Sequence, residues 1–339
     1  MNSVYQSEAP YAWSSPLVAA ATGVFAPDFL SRQLALQGEG EFAPYADWHF
    51  TNNEGQKAFF SPRHYPQALA LAQRLLAEDK PELIGMASND VAILNWLFAQ
   101  NGFPNMKLDP VGPDGMAIAT ILRLLRHFPE VVQKGYSLNE TMPHEAFRFP
   151  RGTFQVYNLD QNLLIEIGFP NGDRFYLSNG WTSLEGPALS NFVVTQMSKR
   201  SMVLPSQGFN GLVLPSVSFE IPVDVSFFLG LEVRDLAGVA RWVTQAIKQV
   251  KFNMGPRGII FEAAFGMAAE MCLSETKLPE PGDIVFDEKF VGWFISGTNV
   301  ICDKFPTWVI KVPVAAFSIE DIEIPSKLPT YEVPVIDEK

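Results

Sequence analysis

An α+β fold, with helices packed on mainly antiparallel and mixed β-sheets, is the architecture this chain predicts. Three observations carry that expectation. Helical periodicity, with apolar residues three or four apart, is concentrated early, while strand-like runs gather late. An Asn-Gly pair, Asn171-Gly172, stands between the runs Ile165–Phe169 and Arg174–Leu177, which is a strong hairpin signal. The two patterns do not alternate along the chain as they would in a βαβ arrangement.

Taken in order, helices are expected over Pro27–Gln37, Pro62–Ala77, Ser88–Gln100, Gly115–Gly135 and Leu236–Val250. The second of these has a local logic. Phe59 and Phe60 suit a buried strand, Ser61 is a good N-cap, and Pro62 falls at the first helical position, where its missing N–H costs nothing. Strands are expected at Thr153–Tyr157 and Leu163–Ile167, on either side of Asp160-Gln161-Asn162. More follow at Val193–Gln196, Met202–Leu204, Gly211–Leu214, Val217–Ile221, Val250–Asn253, Val285–Ile295 and Thr307–Val312. Residues 1–323 are expected to form one domain. The Pro-rich, acidic stretch Ile324–Lys339 has too few apolar groups for a core and is expected to lie extended along the surface.

The 339 residues are 47% hydrophobic, with 27 Phe and 7 Trp, enough for a sizeable core. A net charge of -12 and a pI near 4.9 argue against nucleic acid and anionic membranes, whose binding needs basic surface. No basic start precedes an apolar core of signal type, no run approaches a membrane span, and Cys272 and Cys302 have neither metal-type spacing nor a disulfide framework. A reducing, cytoplasmic setting is the simplest expectation. His49, His64, His127 and His144 do not fall at ligand spacing, no GxSxG elbow occurs, and the glycines of Gly112–Gly115 and Gly208–Gly211 lack a phosphate loop's lysine. Neither an enzyme nor a metal or other cofactor is indicated.

The most informative stretch is Val250–Val312. The strand-like Val250–Asn253 leads to the small-residue, charge-poor segment Gly258–Cys272, then to the Pro/Glu-rich Leu273–Asp283, then to two aromatic runs ending in Thr307–Val312. In order and spacing this resembles the C-terminal third of a serpin. Ala58–Arg63 with Ala68–Leu71, and Leu214–Ile221 followed by Leu229–Leu236, resemble two further serpin passages in the family's order. The resemblance implies an exposed reactive loop at about 258–285, with a hinge at Gly258, Glu262, Ala263 and Ala264 and a scissile bond among Met271, Cys272, Leu273, Lys277 and Leu278. It implies a monomeric suicide inhibitor that is cut by a serine or cysteine protease and then inserts its loop into a β-sheet.

The chain also departs from the family. Lys57 and Ala58 stand where the family often has Asn and Val, and the region after Leu108 lacks its usual signature. Gly255-Pro256 is extra, and Ile259, Ile260 and Phe261 follow Gly258 where small residues are the rule. Bulky residues entering a sheet cost about 1–3 kcal/mol per misfit. Which alternate set would face inward, Ile259, Phe261, Ala263 and Phe265 or the frame set by Glu262-Ala263-Ala264, is open at this level. Two other readings stand beside inhibition: a non-inhibitory serpin-fold protein, and an unrelated α+β binding or structural protein in which Gly258–Met271 is an apolar core helix.

Overall fold

The computed structural model describes residues 9–17, 35–37, 70–72, 74, 83–88, 90–112, 117–138, 144–159, 162–202, 208–223, 229, 232–234, 240–242, 244–262, 277–297, 306–319, 322 and 324. In chain order the first elements are β1 Tyr11–Trp13, β2 Ala35–Gln37, β3 Leu83–Ser88, α1 Val91–Gln100, β4 Ala117–His127, β5 Gln133–Ser137, β6 Glu145–Pro150 and β7 Gln155–Leu159. Next come β8 Asn162–Gly168, β9 Arg174–Ser178, α2 Gly186–Lys199, β10 Ser201–Met202, β11 Gly211–Pro215 and β12 Val217–Pro222. The last are β13 Glu232–Arg234, β14 Ala240–Trp242, β15 Gln249–Gly255, β16 Gly258–Glu262, β17 Ile284–Val285, β18 Phe290–Ile295 and β19 Trp308–Val312.

The fold is α+β, with antiparallel and mixed sheets. A seven-stranded sheet runs β1-β19-β18-β9-β8-β7-β10, a six-stranded sheet β12-β15-β16-β4-β3-β2, and a four-stranded sheet β17-β11-β6-β5; β13 and β14 form a separate pair. The Asn-Gly hairpin is present: β8 and β9 pair from Gly168 with Arg174 outward, and Gly172 sits at φ 86°, a left-handed turn conformation that favours glycine. Helix α1 is also as expected. Asp90 caps it by accepting from the Ala92 N–H at 2.9 Å, and Val91, Leu94, Leu97 and Phe98 are buried.

Four expectations are overturned. Gly115–Gly135 is not a helix; its described part holds strands β4 and β5. Ala117, Ala119, Ile121, Leu122 and Leu124 are buried on both faces of β4, so the polar alternation that identifies a half-wet strand is missing. Leu236–Val250 contains β14 and the start of β15, and Ala35–Gln37 pairs in parallel with β3. Val193–Gln196 is helical, not extended, because Leu189, Val193 and Met197 recur four apart as the buried stripe of α2. Tertiary burial outweighs the β-preference of the two valines.

The core centres on Trp308 of β19. Its ring stacks on Phe261 of β16 at 4.8 Å and on Phe294 of β18 at 5.4 Å, and lies tilted against Phe252 of β15 and Phe175 of β9. One tryptophan thus joins the six-stranded sheet to the seven-stranded one. Phe290, Trp293 and Phe294 are fully buried, as expected. The neighbour at the sheet edge is β1, whose Tyr11, Ala12 and Trp13 pair with Lys311, Ile310 and Val309. The Phe59–Pro62 segment expected beside them lies outside the described residues. A related arrangement follows β1, where Ser14 Oγ accepts from the Leu17 N–H at 3.3 Å and Pro16 stands at the second helical position.

Candidate functional site

The site is built around the chain between β15 and β17. Strands β15 and β16 form a tight hairpin in which Gly255 pairs with Gly258 across Pro256-Arg257. Close approach dictates glycine at 258: a Cβ there would lie 2.0 Å from the Arg126 carbonyl oxygen of β4. Strand β16 therefore runs between β15 and β4, antiparallel to both, with Gly258 opposite His127 and Glu262 opposite Arg123. All five of its residues are buried.

Successive residues of β16 serve opposite faces. Phe219, Phe252, Phe261 and Leu124 fall in one row across β12, β15, β16 and β4, and this row meets Trp308. The inward frame left open by the sequence is thereby decided: Phe261, and with it Ile259, faces the core. Both are accommodated without displacement of the strand, so the expected clash of bulky residues with the sheet does not occur at 259–261.

The next row has a different chemistry. Glu220, Lys251, Glu262 and Arg123 stand in register across the same four strands. Lys251 Nζ lies 2.9 Å from Glu220 and Arg123 Nε 3.1 Å from Glu262. Glu262 is 1% exposed, and burial pushes its carboxyl up to about 7 against the opposing pull of Arg123 and Lys251. Glu220 is the one open end of the row, with its side chain 43% exposed.

The far end of the segment is a strap across the four-stranded sheet. At one edge the Lys277 N–H donates to Gly135 O at 2.6 Å, and Lys277 O accepts from the Ser137 N–H at 2.8 Å. At the other edge β17 pairs in parallel with β11. Between them Arg148 of β6 grips the strap: its guanidinium donates to both carboxylate oxygens of Asp283, at 2.8 and 3.0 Å, and lies 3.0 Å from Glu280. The Asp283 side chain is 0% exposed. Asn210 adds a bond to Pro281 O at 2.7 Å. Gly211 leaves the room for this arginine, since a Cβ there would be 2.7 Å from the guanidinium. The Asp283 hydrogen bond and charge hold the Arg148 guanidinium above its ordinary range.

Among the residues predicted as a hinge, Gly258 belongs to the β15–β16 turn and Glu262 lies in β16, so the loop expected from Gly258 does not begin before Glu262. The helical reading of Gly258–Met271 fails over Gly258–Glu262 for the same reason. Ala263, Ala264, Met271, Cys272 and Leu273 lie outside the described residues. Lys277 and Leu278 belong to the strap, and Leu278 is 44% exposed. Ile324, first residue of the expected surface tail, is buried. Sequence reasoning missed Arg123, Arg148, Lys251 and Asp283. A lone arginine between Phe147 and Phe149 was the available signal for Arg148. Among the described residues, no three of His, Cys, Asp and Glu gather as metal ligands, and no helix is long and apolar enough to cross a membrane.

No protein-family model and no characterised protein sequence matches the chain. Solved structures do resemble it in arrangement, and they are serpins. Thyroxine-binding globulin in complex with thyroxine is 10% identical with a TM-score of 0.47, covering 93% of this chain and 93% of its own. Serpin48, a highly specific serpin of the insect Tenebrio molitor, is 12% identical with a TM-score of 0.42, covering 90% and 92%. Human kallistatin is 8% identical with a TM-score of 0.43, covering 90% and 91%. These are likenesses only, and the functional reading rests on the strand arrangement.

Proposed function

We propose that the chain is a serpin-type protease inhibitor, cut by a serine or cysteine protease between Glu262 and Lys277. The observation that supports this most is the unequal pairing of β4. Among the described residues β16 reaches Glu262, opposite Arg123, while β4 continues through Ala117–Leu122, paired there with β3. On the same register, a longer β16 sets Ala263 opposite Leu122 and Ala268 opposite Ala117. Ala264, Gly266 and Ala268 then extend the charged face, and Ala263, Phe265 and Met267 the core face. The segment that would enter is mostly small, whatever the bulk of the residues already inside.

The chemistry is acyl transfer. The protease nucleophile adds to the scissile carbonyl carbon, the peptide C–N bond breaks, and the amine leaves with the strap side. The acyl group stays on the residue joined to β16, so lengthening β16 drags the bound enzyme. A bond at Met271, Cys272 or Leu273 leaves enough chain for this, and suits a protease that prefers apolar or small residues. Lys277–Leu278 is the poorer substrate, because both backbone groups of Lys277 are bonded to β5. Incubation with serine and cysteine proteases, followed by denaturing electrophoresis and melting of cut and uncut protein, tests the reading. A denaturant-resistant complex and a higher melting temperature after the cut are expected.

A second reading keeps the fold without inhibition. The bulk of Phe265 and Met267, which the same register would set on the core face, favours it, since two large side chains would have to enter a packed layer. No complex and an unchanged melting temperature would leave this reading in place.

A further inference from the structure

We propose that the row Glu220–Lys251–Glu262–Arg123 is a register pin that fixes how β16 lies between β15 and β4. Two features carry this. The signs alternate, −, +, −, +, at directly opposed positions of four neighbouring strands, so every cross-strand neighbour in the row is an opposite charge. The inner members are buried, Glu262 at 1%, Lys251 at 6% and Arg123 at 7%, so solvent screens them little.

Buried charges are poor sources of net stability but strong sources of specificity, because any other register leaves a charge without its opposite. The aromatic row beside it is far less selective. A slip by two residues keeps the same alternate set of β16 on each face, moving Ile259 to the place of Phe261, which is an exchange of one apolar group for another. The same slip moves Ile260 to the place of Glu262, between Lys251 and Arg123, which takes the carboxylate from Arg123 and leaves Lys251 only Glu220. Register selection therefore falls to the charged row. What it means for strand entry after a cut rests on the inhibitory reading; the pin itself is a property of the uncut protein.

Amide hydrogen exchange on the uncut chain tests it. At alkaline pH, well above the value of about 7 to which burial pushes the Glu262 carboxyl, Lys251→Glu should speed exchange of the Phe261 and Glu262 amides by about a hundredfold or more. Reversing all four charges together (Glu220→Lys, Lys251→Glu, Glu262→Lys, Arg123→Glu) should restore protection. Exchanging only Arg123 and Glu262 should not, because Lys251 then faces a cation. Rescue by that two-residue exchange, or wild-type protection in Lys251→Glu, would overturn the pin. Where the reversals do not fold, Lys251→Met serves. Glu262 is faced by Arg123 from β4 and Lys251 from β15, with Glu220 of β12 behind Lys251, so loss of that lysine should loosen β16 at alkaline pH and leave it unchanged in acid, where the carboxyl is neutral. Equal loosening at both would mean that Lys251 serves only as filler, and would overturn the assignment. All of these readouts precede any proteolysis, so failure of the pin and failure of the inhibitory reading are separate results.

Discussion

The two ends of the connecting segment are anchored by opposite physics. At the β16 end the chain is a central strand, bonded on both edges and stacked through Phe261 on Trp308. At the other end it is a strap, paired at Lys277 and β17, tied by Asn210 at Pro281 and Gly282, and gripped through its buried carboxylate by Arg148. The first anchor spreads its hold over many groups, and the second concentrates it on Arg148. Lengthening β16 exploits an existing interior strand, while releasing the strap requires one buried ion pair to open. On the proposed reading, a cut between the two anchors frees the β16 side and leaves the strap where it is.

Removing Trp308 or Phe294 attacks the first anchor at its centre. Either change to Ala is expected to cost about 3–5 kcal/mol, read by denaturant unfolding, because a fully buried aromatic leaves a cavity between two sheets. A loss near zero would show that the stack does not join them.

Arg148→Ala should cost about as much at the strap, roughly 3–5 kcal/mol, because it leaves the buried Asp283 carboxylate without its cation. Its signature is local. Trypsin should cut at Lys277–Leu278 much faster than in the parent chain, as that backbone loses its hold on β5, while exchange at Phe261 stays slow. Loss of protection at both ends would break the comparison.

The pH profile sharpens the first anchor. The Glu262 carboxyl is raised from 4.5 to about 7 by burial, so the fold takes up its proton more readily than the unfolded chain. The stabilisation is fully present below about pH 4.5 and is lost as pH rises through about 7, at most about 3 kcal/mol in all. Glu262→Gln should flatten that decline. An equal slope in parent and variant would assign it to another group.

The smallest effect is expected from Gly211→Ala, at about 1–3 kcal/mol, since the new Cβ crowds the Arg148 guanidinium and pushes it off Asp283. It should make the strap easier to cut without altering the stack at Trp308.

Much of this was open to reading in the linear chain where the pattern is local. The Asn171-Gly172 hairpin, helix α1 with its Asp90 cap, and the aromatic strands β18 and β19 follow from turn chemistry, capping and apolar density alone. The strand character of β15, β11 and β12 was legible for the same reason. Tertiary structure decided the rest. Strand β4 is buried on both faces, so its residues lack the polar alternation that would distinguish it from a helix; its partners β3 and β16 do so. Arg148 and Asp283 are 135 residues apart, and Arg123 and Glu262 are 139 apart, so neither pair has a local signature. Ile259, Ile260 and Phe261 are large for a sheet interior, yet all three are buried, and the space beside Phe261 is shaped by Trp308, which arrives from far along the chain. Local propensity sets which segments can be strands. Which strand lies beside which, and therefore which charges meet in the dark of the sheet, is settled only when long-range burial selects one register.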